Sequence, residues 1–254
     1  MSDSEARGNA ESGGPVFEER PTEFIVKDAF VLGIAPLALA GLAGLLGLDW
    51  LGYVCMGLTV FVASFFRNPP RDIPGDERTV VSPADGRVIA VGDAELPDGT
   101  KVPRVGIFLS VFNVHVNRAP VAGRVVDIER DGTKFLAAFN PRVETENVRL
   151  AMTLETIFHE RVRVVQITGL IARRIVCHAQ IGEWIQRGTR YGLIRFGSRT
   201  DVYLPPGSEL AVKKGQKVRG GSTILATLPD QSDAFDALDP VLEDPDVEDQ
   251  RNGD

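Results

Sequence analysis

The chain has 254 residues, of which 43% are hydrophobic, and a formal net charge of -7 at pH 7. This composition is compatible with a globular core and allows one good-sized domain plus extensions. Its only two cysteines, Cys55 and Cys177, exclude a disulfide framework and indicate a reducing compartment.

The charge is unevenly distributed along the chain. Residues 1–20 and 230–254 are strongly acidic, whereas residues 21–229 carry a net charge of about +5. A mildly basic body suits an anionic membrane surface, although a solvated positive face explains the charge equally well. We expect no nucleic-acid partner.

Both ends of the chain are predicted to be disordered. Residues 1–20 are rich in Ser, Gly and Glu and have little to bury. They lack the basic start, apolar core and cleavage site of a secretory signal. Residues 230–254 form an acidic, proline-containing tail.

A long apolar stretch follows the amino-terminal segment. Between Ala29 and Phe66 the only charged residue is Asp49, which lies in a natural turn. At about 1.5 Å per residue, the two halves form helices of roughly 25 to 30 Å, near the thickness of a hydrocarbon core. We therefore predict a membrane hairpin over residues 21–71, either spanning or re-entrant; the alternative is a buried helical pair in a soluble protein.

Basic residues flank this hairpin on both sides. Lys27 precedes it, and Arg67 and Arg71 follow it. Because positive flanks tend to remain in the cytoplasm, this pattern predicts a location at the cell membrane with the body on the cytoplasmic side.

Residues 72–229 are expected to form a mainly β domain. They consist of short apolar, β-branched segments separated by Gly and Pro, a spacing that favours a sandwich or barrel. Two glycine-bounded patterns, Gly182–Gly188 and Gly215–Gly220, resemble the hairpins of lipoyl- and biotinyl-type sandwich domains. Residues 137–154 are polar and poor in strand pattern, and we predict a loop there.

Gly197 and Ser198 form the predicted bend between strands at Gly192–Phe196 and Asp201–Leu204. Glycine allows unusual backbone conformations, so the serine hydroxyl can approach the preceding carbonyl as an internal nucleophile. An ordinary turn is the simpler alternative. A hydrolase elbow is disfavoured, because Thr200 stands where its second glycine belongs.

The other candidate residues are His115 and Asp85. If residues 109–118 form a strand, His115 shares one face with Asn113 and Asn117, among polar groups. Asp85 lies in Ser-Pro-Ala-Asp-Gly, which is also a good β-turn sequence. The remaining histidines, His159 and His178, are assigned no role, and no metal site is expected because no Cys/His cluster has ligand spacing.

Several of these stretches together resemble the short form of phosphatidylserine decarboxylase. They are Ser82–Gly86, the histidine stretch Leu109–Pro120, the Asn-Pro-Arg-Val-Glu-Thr-Glu-Asn-Val-Arg run, and Phe196–Pro205, in the expected order. The resemblance implies that the Gly197–Ser198 bond cleaves itself and that Ser198 becomes an N-terminal pyruvoyl cofactor. Asp85 would then orient His115, which draws the proton from Ser198.

The resemblance also implies an activity and partners. The substrate would be phosphatidylserine or an ether-lipid analogue, converted to phosphatidylethanolamine and CO2 at the membrane, and the two cleavage fragments would remain together as a heterodimer. Larger family members have two histidines three residues apart, whereas here the second position falls on Asn113 or Arg118. The alternative function is a membrane-tethered lipoyl- or biotinyl-like carrier domain, modified at Lys213 or Lys214.

Overall fold

We describe a computed structural model of the chain, covering residues 28–95, 99–136, 146–169, 174–195 and 198–230. The predictions of disorder for residues 1–20 and 230–254 lie outside this part, except at Asp230. Gly197, Lys27 and the Asn-Pro-Arg run at 140–142 lie outside it as well.

Two helices form the amino-terminal hairpin, as predicted. Helix α1 is Asp28–Leu45 and helix α2 is Asp49–Phe65. Gly47 adopts a φ of 70° in the turn between them, a conformation that glycine tolerates without strain. Neither helix of the described residues has the length and apolar character needed to cross a bilayer.

The rest of the described chain is built from short strands, which confirms the mainly β prediction. In chain order they are β1 (Thr79–Val81), β2 (Gly86–Glu95), β3 (Lys101–Leu109), β4 (Val116–Arg118), β5 (Gly123–Asp131), β6 (Arg149–Glu155), β7 (Arg161–Thr168), β8 (Arg174–Cys177), β9 (Trp184–Ile185), β10 (Arg190–Arg195), β11 (Ser198–Tyr203), β12 (Glu209–Leu210), β13 (Lys217–Val218) and β14 (Ile224–Thr227).

The largest sheet has eight antiparallel strands in the order β13-β2-β3-β11-β7-β6-β5-β9, and it curls into a half-barrel. Two three-stranded sheets, β1-β14-β12 and β4-β10-β8, accompany it. Alternate residues of the large sheet face a common apolar core, which includes Ile107, Leu109, Met152, Val164 and Val202. In this strand order β11 lies in the middle of the large sheet, with β3 on one side and β7 on the other.

The hairpin contacts the β domain through the end of α2. Phe65 and Phe66 are buried against Val114, Val116 and Leu193. Val114 lies in the loop before β4, Val116 in β4 and Leu193 in β10. Most other large side chains of the hairpin are exposed, including Leu45, Trp50 and Tyr53. One end of the hairpin is thus part of the core, and the remainder presents an apolar surface.

Two element predictions need correction. The predicted loop over residues 137–154 is wrong from Arg149 onward, because Leu150, Met152 and Leu154 alternate toward the core and form β6. Strand β11 begins at Ser198, three residues earlier than predicted. Its polar residues enter the ladder because β3 and β7 pair with them on both sides.

Candidate active site around Ser198

Ser198 is the first residue of β11 and is completely buried. Its Cα pairs with that of Leu109 on β3 and that of Thr168 on β7. Within the described residues its hydroxyl has no hydrogen-bond partner. An unpaired buried polar group costs about 1–3 kcal/mol and is uncommon. In the described part of the chain no group therefore occupies the hydroxyl, as a nucleophile requires.

The strand opposite Ser198 is fixed by Asn147, which sequence reasoning left without a role. The Asn147 side chain is buried and donates to the carbonyl oxygens of Thr168, at 2.7 Å, and Leu136, at 2.9 Å. Thr168 in turn donates from its backbone nitrogen and its hydroxyl to the carbonyl of Val148. These bonds secure the end of β7 against which Ser198 packs.

A buried polar network continues along the same face of β11. Asn117 donates from Nδ2 to Oγ1 of Thr200 at 3.2 Å, and Gln166 donates from Nε2 to Oδ1 of Asn117 at 2.8 Å. Thr200 lies two residues after Ser198, so both side chains point to the same side of the strand. The network joins β4, β7 and β11 beside Ser198, which keeps three separate strands in register at the site.

His115 is buried, and it lies at the end of the loop that joins β3 to β4, so the strand considered over residues 109–118 is not formed. Its ring stacks on that of Phe65, with centroids 3.9 Å apart. Its backbone carbonyl accepts from the nitrogen of Ile194, four residues before Ser198 in the chain. The contacts therefore place His115 between the end of the hairpin and the strand that leads to Ser198.

The surroundings of His115 make it a neutral base. Burial lowers its pKa to about 4, opposed by a hydrogen bond to Asn113 and assisted by the charge of Arg67. Its Nδ1 lies 2.9 Å from the carbonyl oxygen of Asn113. A carbonyl can only accept, so Nδ1 carries the proton and Nε2 holds the basic lone pair.

Asp85 does not bind His115, the residue that the family resemblance would have it orient. Its carboxylate accepts from Nη2 of Arg71, at 2.8 and 3.0 Å, and from the backbone nitrogen of Gly220, at 2.7 Å. Neither His115 nor Ser198 is among its hydrogen-bond partners in the described residues. Asp85 precedes β2, and both β2 and β11 pair with β3, so two strand spacings, roughly 10 Å, separate it from Ser198.

The two residues considered for the second histidine position have structural contacts. Asn113 accepts from the backbone nitrogen and the hydroxyl of Ser110, closing a tight turn. Arg118 donates to Oδ1 of Asn68 and to the carbonyls of Pro69 and Gly188. Burial, together with the charge of Arg71, lowers the pKa of Arg118 to about 10. Arg118 thereby joins the segment after the hairpin to the β domain.

The residues without an assigned role lie away from this arrangement. His159 is exposed, and its Nδ1 lies 3.6 Å from Oε1 of Glu155. Lys213 and Lys214, the attachment points of the alternative carrier function, are exposed. Among the described residues there is no cluster of side chains suited to a metal ion.

A mainly β protein with a neutral histidine and a buried serine hydroxyl that has no partner among the described residues has the parts of an enzyme that uses an internal nucleophile. Residues 58–226 match the profile of the family described as phosphatidylserine decarboxylase. The chain belongs to the phosphatidylserine decarboxylase family and is a decarboxylase.

Curated relatives named phosphatidylserine decarboxylase proenzyme are similar over most of their length. The protein of Citrifermentans bemidjiense is 53% identical over 173 residues, which are 68% of this chain and 79% of the relative. The protein of Geobacter sulfurreducens is 47% identical over 201 residues, covering 78% and 92%. The protein of Burkholderia pseudomallei is 47% identical over 186 residues, covering 73% and 85%.

Proposed function

We propose that this chain cuts its own Gly197–Ser198 bond and then decarboxylates phosphatidylserine, or an ether-lipid analogue, to phosphatidylethanolamine and CO2. The observation that carries the proposal is the buried Ser198 hydroxyl, which has no partner among the described residues. The relatives' name, proenzyme, supports processing of the chain. The proposal gives Ser198 the role of nucleophile toward the carbonyl of Gly197.

His115 is the proposed base. Since its pKa is lowered to about 4, the imidazole is neutral at pH 7 and Nε2 can take the Ser198 proton. A histidine that has taken a proton can also return it, which suits the later protonation of a substrate carbon. Asp85 remains a predicted positioning residue, now with Arg71 as its observed ion-pair partner.

Position 198 is suited to a pyruvoyl group. A pyruvoyl carbonyl supplies an electron sink for the bond that breaks when CO2 departs. After the cut, residue 198 would begin a strand that β3 and β7 hold on both sides, so its backbone would stay fixed. The side chains of Thr200, Asn117 and Gln166 are buried on the inner side of that strand and are joined by hydrogen bonds.

The two fragments are proposed to remain associated as a heterodimer. Strand β11 would belong to the second fragment and pairs with β3 and β7 of the first. Strands β13 and β14 would pair across the cut as well, with β2 and β1. Residues 72–229 thus form the proposed catalytic body, and separating its fragments would expose the shared core.

The hairpin, residues 21–71, is proposed to lie in one leaflet of the cell membrane, with the body on the cytoplasmic side. Its exposed apolar side chains, among them Leu45, Trp50 and Tyr53, form a surface that lipid would cover. Arg67 follows α2 and suits anionic head groups, whereas Arg71 is paired with Asp85. Phe65 joins this segment directly to His115, so the site would open near the phospholipid substrate.

The decisive experiment is a decarboxylation assay on the full-length chain with phosphatidylserine in mixed micelles. We expect CO2 release by the wild type and none by Ser198→Ala. Ser208→Ala is the matched control, because the Ser208 hydroxyl binds the carbonyl of Pro205 in a turn away from the site. Activity in Ser198→Ala would overturn the proposal, and a mass increase on an unbroken wild-type chain would favour the carrier function.

A further inference from the structure

The turn that follows β3 carries an exposed aromatic side chain. Asn113 closes the turn, because its backbone nitrogen donates to the carbonyl of Ser110 and its Oδ1 accepts from the nitrogen and the hydroxyl of Ser110. Phe112 lies inside this turn and is 76% exposed, at a place where polar residues or glycine are usual. A single exposed aromatic residue needs no explanation by itself, so its surroundings decide whether the ring has a role.

The turn is attached directly to the end of the hairpin. Arg67, two residues after α2, donates from Nη2 to the carbonyl of Phe112 at 3.1 Å and from Nη1 to the carbonyl and hydroxyl of Ser64. Val114, which lies two residues after Phe112, packs with Phe65 in the cluster that joins α2 to the β domain. The position of the turn relative to α2 is therefore fixed on both sides of Phe112.

The exposed apolar side of α2 extends almost to this contact. Leu58 is 50% exposed and Val60 is 61% exposed. Val60 lies five residues before Phe65, which is about 7.5 Å along the helix axis. Lipid that covered this side of α2 would therefore reach the level of Arg67 and the turn.

The charges around the turn suit an anionic lipid surface. Arg67 is half-buried, and no carboxylate in the described part of the chain pairs with it. Asn113 borders a surface recess that is lined by three exposed cations, Arg87, Lys217 and Arg219. Cations within about 10 Å of a negatively charged bilayer attract it without a specific contact.

We propose that Phe112 inserts into the head-group region of an anionic phospholipid bilayer, so that this turn is a second membrane contact besides the hairpin. The inference rests on the membrane placement within the proposed function. Phenylalanine suits the boundary between head groups and acyl chains. The carbonyl of Asn113, in the same turn, binds Nδ1 of His115, so the contact would hold the candidate base close to the lipid surface.

The first test measures lipid contact at single positions of the full-length Ser198→Ala protein, reconstituted into vesicles of phosphatidylglycerol and phosphatidylcholine. In a background without the two native cysteines, Phe112→Cys, Tyr53→Cys and Ile157→Cys are each labelled with an environment-sensitive fluorophore. Tyr53 reports the hairpin. Ile157 is the matched control, because it is 47% exposed in the turn between β6 and β7, at the end of β7 opposite to the Ser198 pairing.

Contact is read as fluorescence quenching by a lipid that carries a doxyl group near its head group. We expect quenching of the labels at positions 112 and 53 and none at position 157. Quenching at 53 without quenching at 112 would overturn the inference and leave the hairpin placement intact. A label at 112 that responds to protein concentration but not to the quencher would indicate a contact between two copies of the chain, and would also overturn it.

The second test separates lipid contact from a role in the reaction. Phe112→Ala and Phe112→Leu are assayed on phosphatidylserine in anionic vesicles and on monomeric dihexanoyl-phosphatidylserine. We expect Phe112→Ala to raise the KM for vesicles at least about tenfold relative to that for the monomeric substrate, and Phe112→Leu to restore most of the difference. An equal loss on both substrates would overturn the inference. Decarboxylation by the wild type is scored separately, so the proposed activity can stand when the membrane contact fails.

Discussion

The ring of His115 lies against the ring of Phe65, with centroids 3.9 Å apart and planes inclined by 23°. Phe65 is the last residue of α2, so the hairpin supplies one wall of the pocket around the candidate base. Burial is the main reason for the lowered pKa of His115. The segment proposed to contact lipid and the residue proposed to move a proton are thus in direct contact.

Phe65→Ala should therefore change the pKa of His115. Removing the ring admits water, so we expect the pKa of His115 to rise from about 4 toward 6.5, with slower self-cleavage. The cavity should also cost about 3–5 kcal/mol of stability. The pKa is measured by NMR titration of the imidazole. Phe61→Ala, on the same helix, is the control, and an equal shift there would contradict a specific role for the stack.

The lowered pKa of His115 also predicts how the stability of the protein depends on pH. Between pH 6.5 and about 4 the unfolded chain binds a proton at His115 that the folded chain does not. Stability should therefore be fully present above pH 6.5 and fall by roughly 3 kcal/mol as the pH drops to about 4. Urea unfolding across this range measures it in Ser198→Ala. His115→Asn should flatten this part of the profile; an unchanged slope would contradict the lowered pKa.

The rate of self-cleavage should depend on the protonation of His115. A base with a pKa of about 4 stays neutral at pH 5, whereas an ordinary histidine is mostly protonated there. We expect the cleavage rate of newly refolded wild-type chain to hold between pH 7 and 5 and to decline near pH 4. The rate is followed by denaturing electrophoresis. A decline centred near pH 6.5 would show that burial does not lower the pKa of the base.

The buried ion pair after Ser198 is a separate source of stability. Arg199 donates from Nε and Nη2 to the two carboxylate oxygens of Asp201, at 2.7 and 2.8 Å, on the face of β11 opposite to Ser198. Gly106 leaves room for the pair, since a Cβ there would lie 2.9 Å from Oδ1 of Asp201. Asp201→Asn removes the buried charge that Arg199 binds through two hydrogen bonds and should cost about 3–5 kcal/mol.

The matched control for that variant is Asp131→Asn. Asp131 pairs with Arg149 at 2.6 Å in an exposed setting, and such a pair contributes no more than about 1 kcal/mol. Chemical denaturation of both variants in Ser198→Ala compares the two pairs directly. Similar losses of stability in the two variants would contradict the burial of Asp201.

The role of Asp85 can be separated from that of its ion pair. Asp85→Asn removes the carboxylate, whereas Arg71→Gln removes its partner and leaves the carboxylate in place. If Asp85 positions His115, Asp85→Asn should abolish self-cleavage and Arg71→Gln should retain it at a reduced rate. Fragment yield on denaturing gels measures both. Equal loss in the two variants would assign Asp85 to holding the segment after the hairpin.

Local patterns in the sequence were enough to predict the helical hairpin and the mainly β body, whereas the roles of Ser198, His115 and Asp85 came from the family resemblance and stay predictions. The burial of Ser198 could not be predicted, because it depends on pairing with Leu109 and Thr168, which lie 89 and 30 residues away in the chain. Strand β6 was missed because the polar run that precedes it, from Asn140 to Asn147, obscured the apolar positions Leu150, Met152 and Leu154.

Contacts between distant polar residues were also beyond sequence reasoning. Asn147 lies in a polar stretch, and only the folded chain brings its amide to Thr168. The Arg71–Asp85 ion pair depends on how the segment after the hairpin passes the start of β2. These contacts arise from topology, so no local periodicity could indicate them.

The most direct test of the central claim is the intact mass of the purified full-length protein under denaturing conditions. We predict two pieces, one ending at Gly197 and a smaller one whose first residue, at position 198, is a ketoacyl group that resists Edman degradation. A single unbroken chain, or a second piece that begins with an unmodified serine, would contradict a cofactor made from Ser198.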